Sequence, residues 1–142
     1  LYTAGMFAWA GNKSRDGGFY RIRRTQKPAT LPIALQAYRN GVLISFSEPV
    51  DIRSAALKDN YQVKAWDLKR TSDYGSEHYN EHKLTLKSAK VLKGGRSVFL
   101  AIPDILPTWG MEIKMEIKGK DGKSLERKIH NTIHSLNTNY LF

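Results

Sequence analysis

In MEIKMEIK, Met111 to Lys118, the residues Met111, Ile113, Met115 and Ile117 fall on one side of an extended chain, and Glu112, Lys114, Glu116 and Lys118 fall on the other. Successive side chains of a strand point to opposite faces, so a strict period of two marks a strand with one face against apolar neighbours and one in water. A helix would scatter both sets around its axis. The alternation recurs in GVLISFSE through Val42, Ile44 and Phe46, in RSVFLAI through Val98, Leu100 and Ile102, and in KLTLK through Leu84 and Leu86. Asn40-Gly41, Lys93-Gly94-Gly95 and Asp121-Gly122 punctuate these runs as turns. Only RSAALKDN, Arg53 to Asn60, has helical character, enough for about two turns. Strands are expected near 31–38, 41–47, 60–68, 83–92, 96–102, 110–119 and 124–135. That is about seven one-sided strands, and a two-layer antiparallel β-sandwich gives each a covered face. The fold class is all-β.

The first thirty residues fit this scheme poorly. LYTAGMFAWAG is apolar and rich in small residues, NKSRDGG reads as a turn, and GFYRIRRT reads as a second strand. Lys27-Pro28 and Leu31-Pro32 mark a linker. The expected division is therefore an N-terminal β-hairpin extension over 1–30 and the sandwich over 31–142. Two strands alone are marginally stable in water, which places this hairpin with another sheet.

A chain of 142 residues is single-domain size and buries enough surface to need no covalent staple. It has no cysteine, which removes disulfides, thiolate zinc sites and thiol nucleophiles. No apolar run approaches the roughly 20 residues of a membrane helix. The chain starts Leu-Tyr-Thr-Ala-Gly, without an initiator methionine or a charged leader, and is expected to be a processed product or a piece of something longer. Twenty-three Lys and Arg against thirteen Asp and Glu leave +10, which invites anionic partners. From Lys64 to Lys123, however, the basic residues occupy outward strand positions and turns among acidic ones, as in solvated faces and protected edges. RIRR, Arg21 to Arg24, is the densest group, and no nucleic-acid-binding motif organises it. Anionic polysaccharide or a cell surface is the favoured partner of this class, and nucleic acid is not expected.

The most chemically suggestive run is YGSEHYNEH, Tyr74 to His82. His78 and His82 with Glu77 or Glu81 have the atoms of a zinc site. On a strand, residues four apart lie roughly 13 Å from each other, too far to share an ion. Gly75, Ser76 and Asn80 favour a loop, so the run is expected to be a polar connection between strands. His130 and His134 in HNTIH meet the same objection, and Glu112 and Glu116 are explained by charge pairing across strands. Without a GxSxG elbow or a cysteine, no nucleophilic site emerges and no cofactor is expected. Trp66 shares a nominal face with Gln62 and Lys64. It is either a shelf that stacks a sugar or base together with Tyr74 and Tyr79, or a residue of a subsidiary core covered by its own loop. Trp66, Tyr74, His78, Tyr79 and His82 are thus the candidate binding residues. Trp109, between Pro107-Thr108 and Gly110, is expected to plug the start of a strand.

Two stretches carry a resemblance. SFSEPVDIRSAALKDNYQVKAWD, then KSAKVLKGGRSVFLAIPDILPTWGMEIKMEIKGKDG and HNTIHSL, resemble the C-terminal Ig-like domain of large exported multidomain bacterial proteins. LYTAGMFAWAGNKSRDGGFYRIRRTQKP resembles the last strands of the glucose/sorbosone-dehydrogenase-like β-propeller that precedes it. The resemblance implies an Ig-like sandwich, an exported location and an oxidoreductase-like parent whose catalytic parts this segment lacks. It also implies a noncatalytic accessory role with the propeller as partner, Trp9 packing on a propeller neighbour. Two rival functions remain: a module for acidic glycans or other polyanions, and a metal-dependent enzyme built on His78 and His82.

Overall fold

The computed structural model of the chain describes residues 1–6, 17–25, 27–92 and 94–141. Its strands are β1 (Tyr2–Met6), β2 (Gly17–Arg21), β3 (Pro32–Tyr38), β4 (Gly41–Phe46), β5 (Tyr61–Asp67), β6 (Tyr79–Lys83), β7 (Ser88–Val91), β8 (Ser97–Ala101), β9 (Thr108–Lys118) and β10 (Ser124–Ile133). One helical turn, α1 (Ile52–Ala55), and a 3-10 turn at Lys58–Asn60 lie between β4 and β5. Two four-stranded antiparallel sheets form, ordered β3-β4-β8-β7 and β10-β9-β5-β6, and β1 pairs with β2 alone.

The two larger sheets share one core. Val42, Ile44 and Phe46 of β4 and Val98 and Leu100 of β8 meet Tyr61 and Val63 of β5 and the Met111, Ile113, Met115 and Ile117 column of β9. β9 sits inside its sheet, so Ile113 pairs with Val63 on one side and Ile129 on the other. Such a row fills a layer of the core across three strands, each fully buried side chain contributing about 1.5–3 kcal/mol by burial.

Short-range chemistry fixes the way into β5. The Asp51 carboxylate accepts the Ser54 N–H at 2.7 Å and caps α1, and that bond chiefly holds its carboxyl below the ordinary range. The Tyr61 hydroxyl, buried at the start of β5, donates to the Ala55 carbonyl at 2.9 Å and ties the turn to the sheet.

Three expectations need correction. The two larger sheets hold eight strands rather than seven. The expected single strand at 83–92 is two pieces in different sheets: Leu84 N–H bonds the Val63 carbonyl of β5, whereas Lys87 N–H bonds the Ala101 carbonyl of β8. Leu84 and Leu86 lean on the core throughout this crossing, so the alternation is the same whichever sheet supplies the partner. Finally, the Tyr74–His82 run is a connection only as far as His78, because Tyr79–Lys83 is the edge strand β6. Its burial pattern is exposed throughout except at Tyr79, so no apolar face announces it.

After β10 the chain crosses to the edge of β3. Asn137 N–H bonds the Ala37 carbonyl at 3.0 Å, and the Asn137 carbonyl accepts Arg39 N–H at 3.1 Å. The Asn40 amide exchanges two hydrogen bonds with the Tyr140 main chain, at 3.0 and 2.8 Å. The Tyr140 ring then stacks on Phe99 at 4.9 Å and meets Tyr38 edge-on at 5.0 Å. At the other end Ala29 and Leu31 hold the Ser47 hydroxyl, at 2.6 and 3.0 Å, and attach the N-terminal segment to the sandwich. The expected packing of Trp9 and most of the NKSRDGG turn lie outside the described residues.

Removing the Tyr61 hydroxyl orphans a buried carbonyl. Urea denaturation of Tyr61→Phe is expected to show a loss of about 1–2 kcal/mol with an unchanged denaturant slope.

Candidate functional site

The outer face of the β10-β9-β5-β6 sheet brings together two of the five candidate binding residues, Trp66 and His78. Trp66 is 8% exposed and lies across β9 at Gly110, where any Cβ would overlap the indole. The His78 imidazole, delivered by the β5–β6 connection, stacks on the other side with ring centroids 4.0 Å apart and planes 16° apart. His130 meets the indole edge-on at 6.3 Å, and Lys64 Nζ stands 5.6 Å from it. Of the two readings for Trp66, the geometry is that of a subsidiary core covered by its own loop.

A line of alternating charges crosses the strands beside it. His130 Nε2 is 2.7 Å from Glu112 Oε2, with Lys128 Nζ 3.5 Å from the same oxygen. Lys64, the register partner of Glu112, donates to both oxygens of Glu81 at 3.1 Å. His78 Nδ1 closes the line at 2.8 Å from Glu81 Oε2. A carboxylate only accepts, so His78 bears its hydrogen on Nδ1. These contacts orient side chains and neutralise charge across the sheet.

The remaining candidates do not converge on this place. His82 Nδ1 donates to the Asn80 carbonyl at 2.7 Å, so His78 and His82 hold different partners. Tyr79 is half-buried with Lys69 Nζ 4.5 Å over its ring, and Tyr74 is fully exposed. Among the described residues no three of His, Asp and Glu gather into a group able to hold a metal ion.

Trp109 departs from its expected role as a plug: it is 59% exposed and stands at the rim of a cleft of about 290 Å³ with Asp67, Thr108, Thr132 and His134. PTWG and HNTIH were each visible in the chain. Their meeting depends on a bulge in the β9–β10 pairing that alternation does not reveal.

Two outcomes follow from this geometry. Gly110→Ala is expected to cost about 1–3 kcal/mol in urea denaturation, because the indole has nowhere to move between Gly110 and His78. The second concerns acid. Hydrogen bonds from His78 and then Lys64 hold the Glu81 carboxyl below its ordinary value of 4.5, and the one from His130 does the same for Glu112. A carboxyl depressed in the folded state adds stability above its unfolded value and loses it as pH falls through the folded one. Urea midpoints taken from about pH 6 down to about pH 3 should therefore fall, and fall less steeply in the Glu81→Gln/Glu112→Gln double variant.

No family model and no curated protein matches the sequence. Among solved structures, the chain is similar to the crystal structure of the S-layer protein rSbsC(31-844), with a TM-score of 0.52 and 20% identity, over 71% of this chain and 13% of that one. At that identity the likeness bears on the fold alone, and this chain corresponds to a small part of that protein. No helix among the described residues is long and apolar enough to cross a membrane.

Proposed function

We propose that residues 31–142 form a noncatalytic Ig-like accessory domain of a larger exported protein, and that residues 1–30 supply strands to the sheet of a preceding β-propeller. The strand orders support the Ig-like reading. With β6 taken as C′ and the other strands lettered in chain order from β3, one sheet is A-B-E-D and the other is G-F-C-C′, the immunoglobulin arrangement with an added C′ strand. The S-layer protein that is similar in fold is in keeping with the exported location.

The observation that carries the accessory role is the hairpin. Phe19 and Tyr20 are adjacent in β2 and so point to opposite faces, yet they are 75% and 44% exposed. Tyr2 stacks on Phe19 at 5.5 Å and is itself exposed, as are Leu1 and Ile22. A ribbon apolar on both faces buries them only as part of a wider sheet covered on both sides. The polyanion-binding alternative draws on Lys69 over Tyr79 and on the fully exposed Tyr74. It gains less, since His78 covers Trp66 while Lys64 and Lys128 are engaged by Glu81 and Glu112.

Deleting residues 1–26, which keeps the Ala29 and Leu31 contacts to Ser47, should leave the thermal midpoint within about 3 °C and abolish binding of a hydrophobic dye. In the longer polypeptide, the amides of Phe19–Arg21 should exchange more slowly than in this chain. A midpoint lowered by more than about 10 °C would make the hairpin integral to the sandwich and sink the proposal.

A further inference from the structure

We propose that the cleft at Trp109 binds a neutral sugar ring. By parity Trp109 belongs with Met111, Ile113 and Met115, which are wholly buried, yet more than half of its surface is open. The register explains why. From Asn131↔Met111 to Ile133↔Thr108, two steps along β10 span three along β9, so an extra residue is accommodated at Trp109-Gly110. A bulge of this kind re-aims a side chain, here out of the core and onto the rim of the sandwich. The indole is then held in place: His134 meets it edge-on with centroids 6.4 Å apart and planes at 90°, and the Thr132 hydroxyl donates to the Trp109 carbonyl at 2.8 Å.

The groups around this platform suit a hydroxylated ring. Thr108 directs its hydroxyl hydrogen at the Trp66 and Gly110 carbonyls, both at 3.1 Å, and Thr132 spends its own on Trp109. Both hydroxyl oxygens are thereby left as acceptors. Asp67 lines the cleft, and its Oδ2 accepts the Asn80 amide at 3.0 Å, which holds the carboxylate in place. The His134 ring supplies an N–H donor. A sugar ring presents C–H groups on its face and hydroxyls that both give and take around its edge, matching an apolar platform ringed by acceptors and a donor. About 290 Å³ is at the small end of ligand pockets and fits a ring or two rather than a folded peptide.

Local charge selects against anions. Despite a net charge of +10, the cleft is lined by one carboxylate and by neither lysine nor arginine. It also lies at the start of β9, whereas the other end of that strand, Lys118-Gly119, meets Asp51 and Val50, close in sequence to Ser47 where Ala29 and Leu31 attach. A ligand there does not compete with whatever the hairpin joins.

The test uses the full chain, isotope-labelled, titrated with cellobiose, maltose or N,N′-diacetylchitobiose, with a heparin-derived disaccharide as the acidic counterpart. At least one neutral disaccharide should shift the Trp109 indole N–H and His134 ring resonances saturably, with a Kd of about 1 mM that does not change with added salt. Followed at His134, Trp109→Ala and Asp67→Asn should each weaken binding about tenfold or more. The thermal midpoint of Trp109→Ala should hold, because the side chain is exposed. Absence of a saturable shift with all three neutral sugars, tighter binding of the acidic one, or undiminished affinity in Trp109→Ala would overturn the assignment.

Discussion

Burial of the Met111–Ile117 column between two sheets is the constraint on which the rest of the molecule depends. β9 pairs with β5 and β10 at once, so setting its apolar row against Val42, Ile44 and Leu100 fixes the face presented by three strands together. The consequence reaches the outer surface. Once Ile113 faces inward, Glu112 and Lys114 must face water, and Lys64 and His130, the register partners of Glu112, follow. A slip of one residue would exchange the whole set, at a cost no surface ion pair could offset.

Among the described residues, two large aromatics are buried outside that core, one on the outer face of each sheet. Trp66 is sealed by His78 from the β5–β6 connection, and Phe99 by Tyr140 from the C-terminal segment. Both covers are chain excursions fastened by a few polar contacts: His78 to Glu81 in the first case, Asn40 to Tyr140 in the second. Each excursion hides one large aromatic ring on the outer face of its sheet. Trp109 at one end and Phe19 on the hairpin, by contrast, are exposed. In the proposed reading, attachment lies at one end of the domain and the sugar cleft at the other, so neither obstructs the other.

Charge tells a similar story at finer grain. The excess of basic residues would draw polyanions to the surface as a whole, but on the outer face of the β10-β9-β5-β6 sheet Lys64 and Lys128 are engaged by Glu81 and Glu112. Exposed pairs of this sort contribute little to stability individually. Their effect here is to spread charge evenly and to orient the imidazoles that pack around Trp66.

The chain by itself determined the fold class, because period-two alternation in MEIKMEIK and GVLISFSE admits only one-sided strands. It determined the main turns as well, and it showed that Trp66 had either to be covered or to serve as a shelf. It did not reveal that Leu84 and Leu86 pass between sheets, since an inward lean looks the same from either one. Nor did it reveal β6, whose polar residues sit on an edge with little core to face. The pairing of Trp66 with His78, and of Trp109 with His134 and Asp67, was decided only by the tertiary structure. Both depend on where the backbone leaves regular register, and one bulged residue turns a side chain through half a circle without leaving any mark on the hydrophobic pattern.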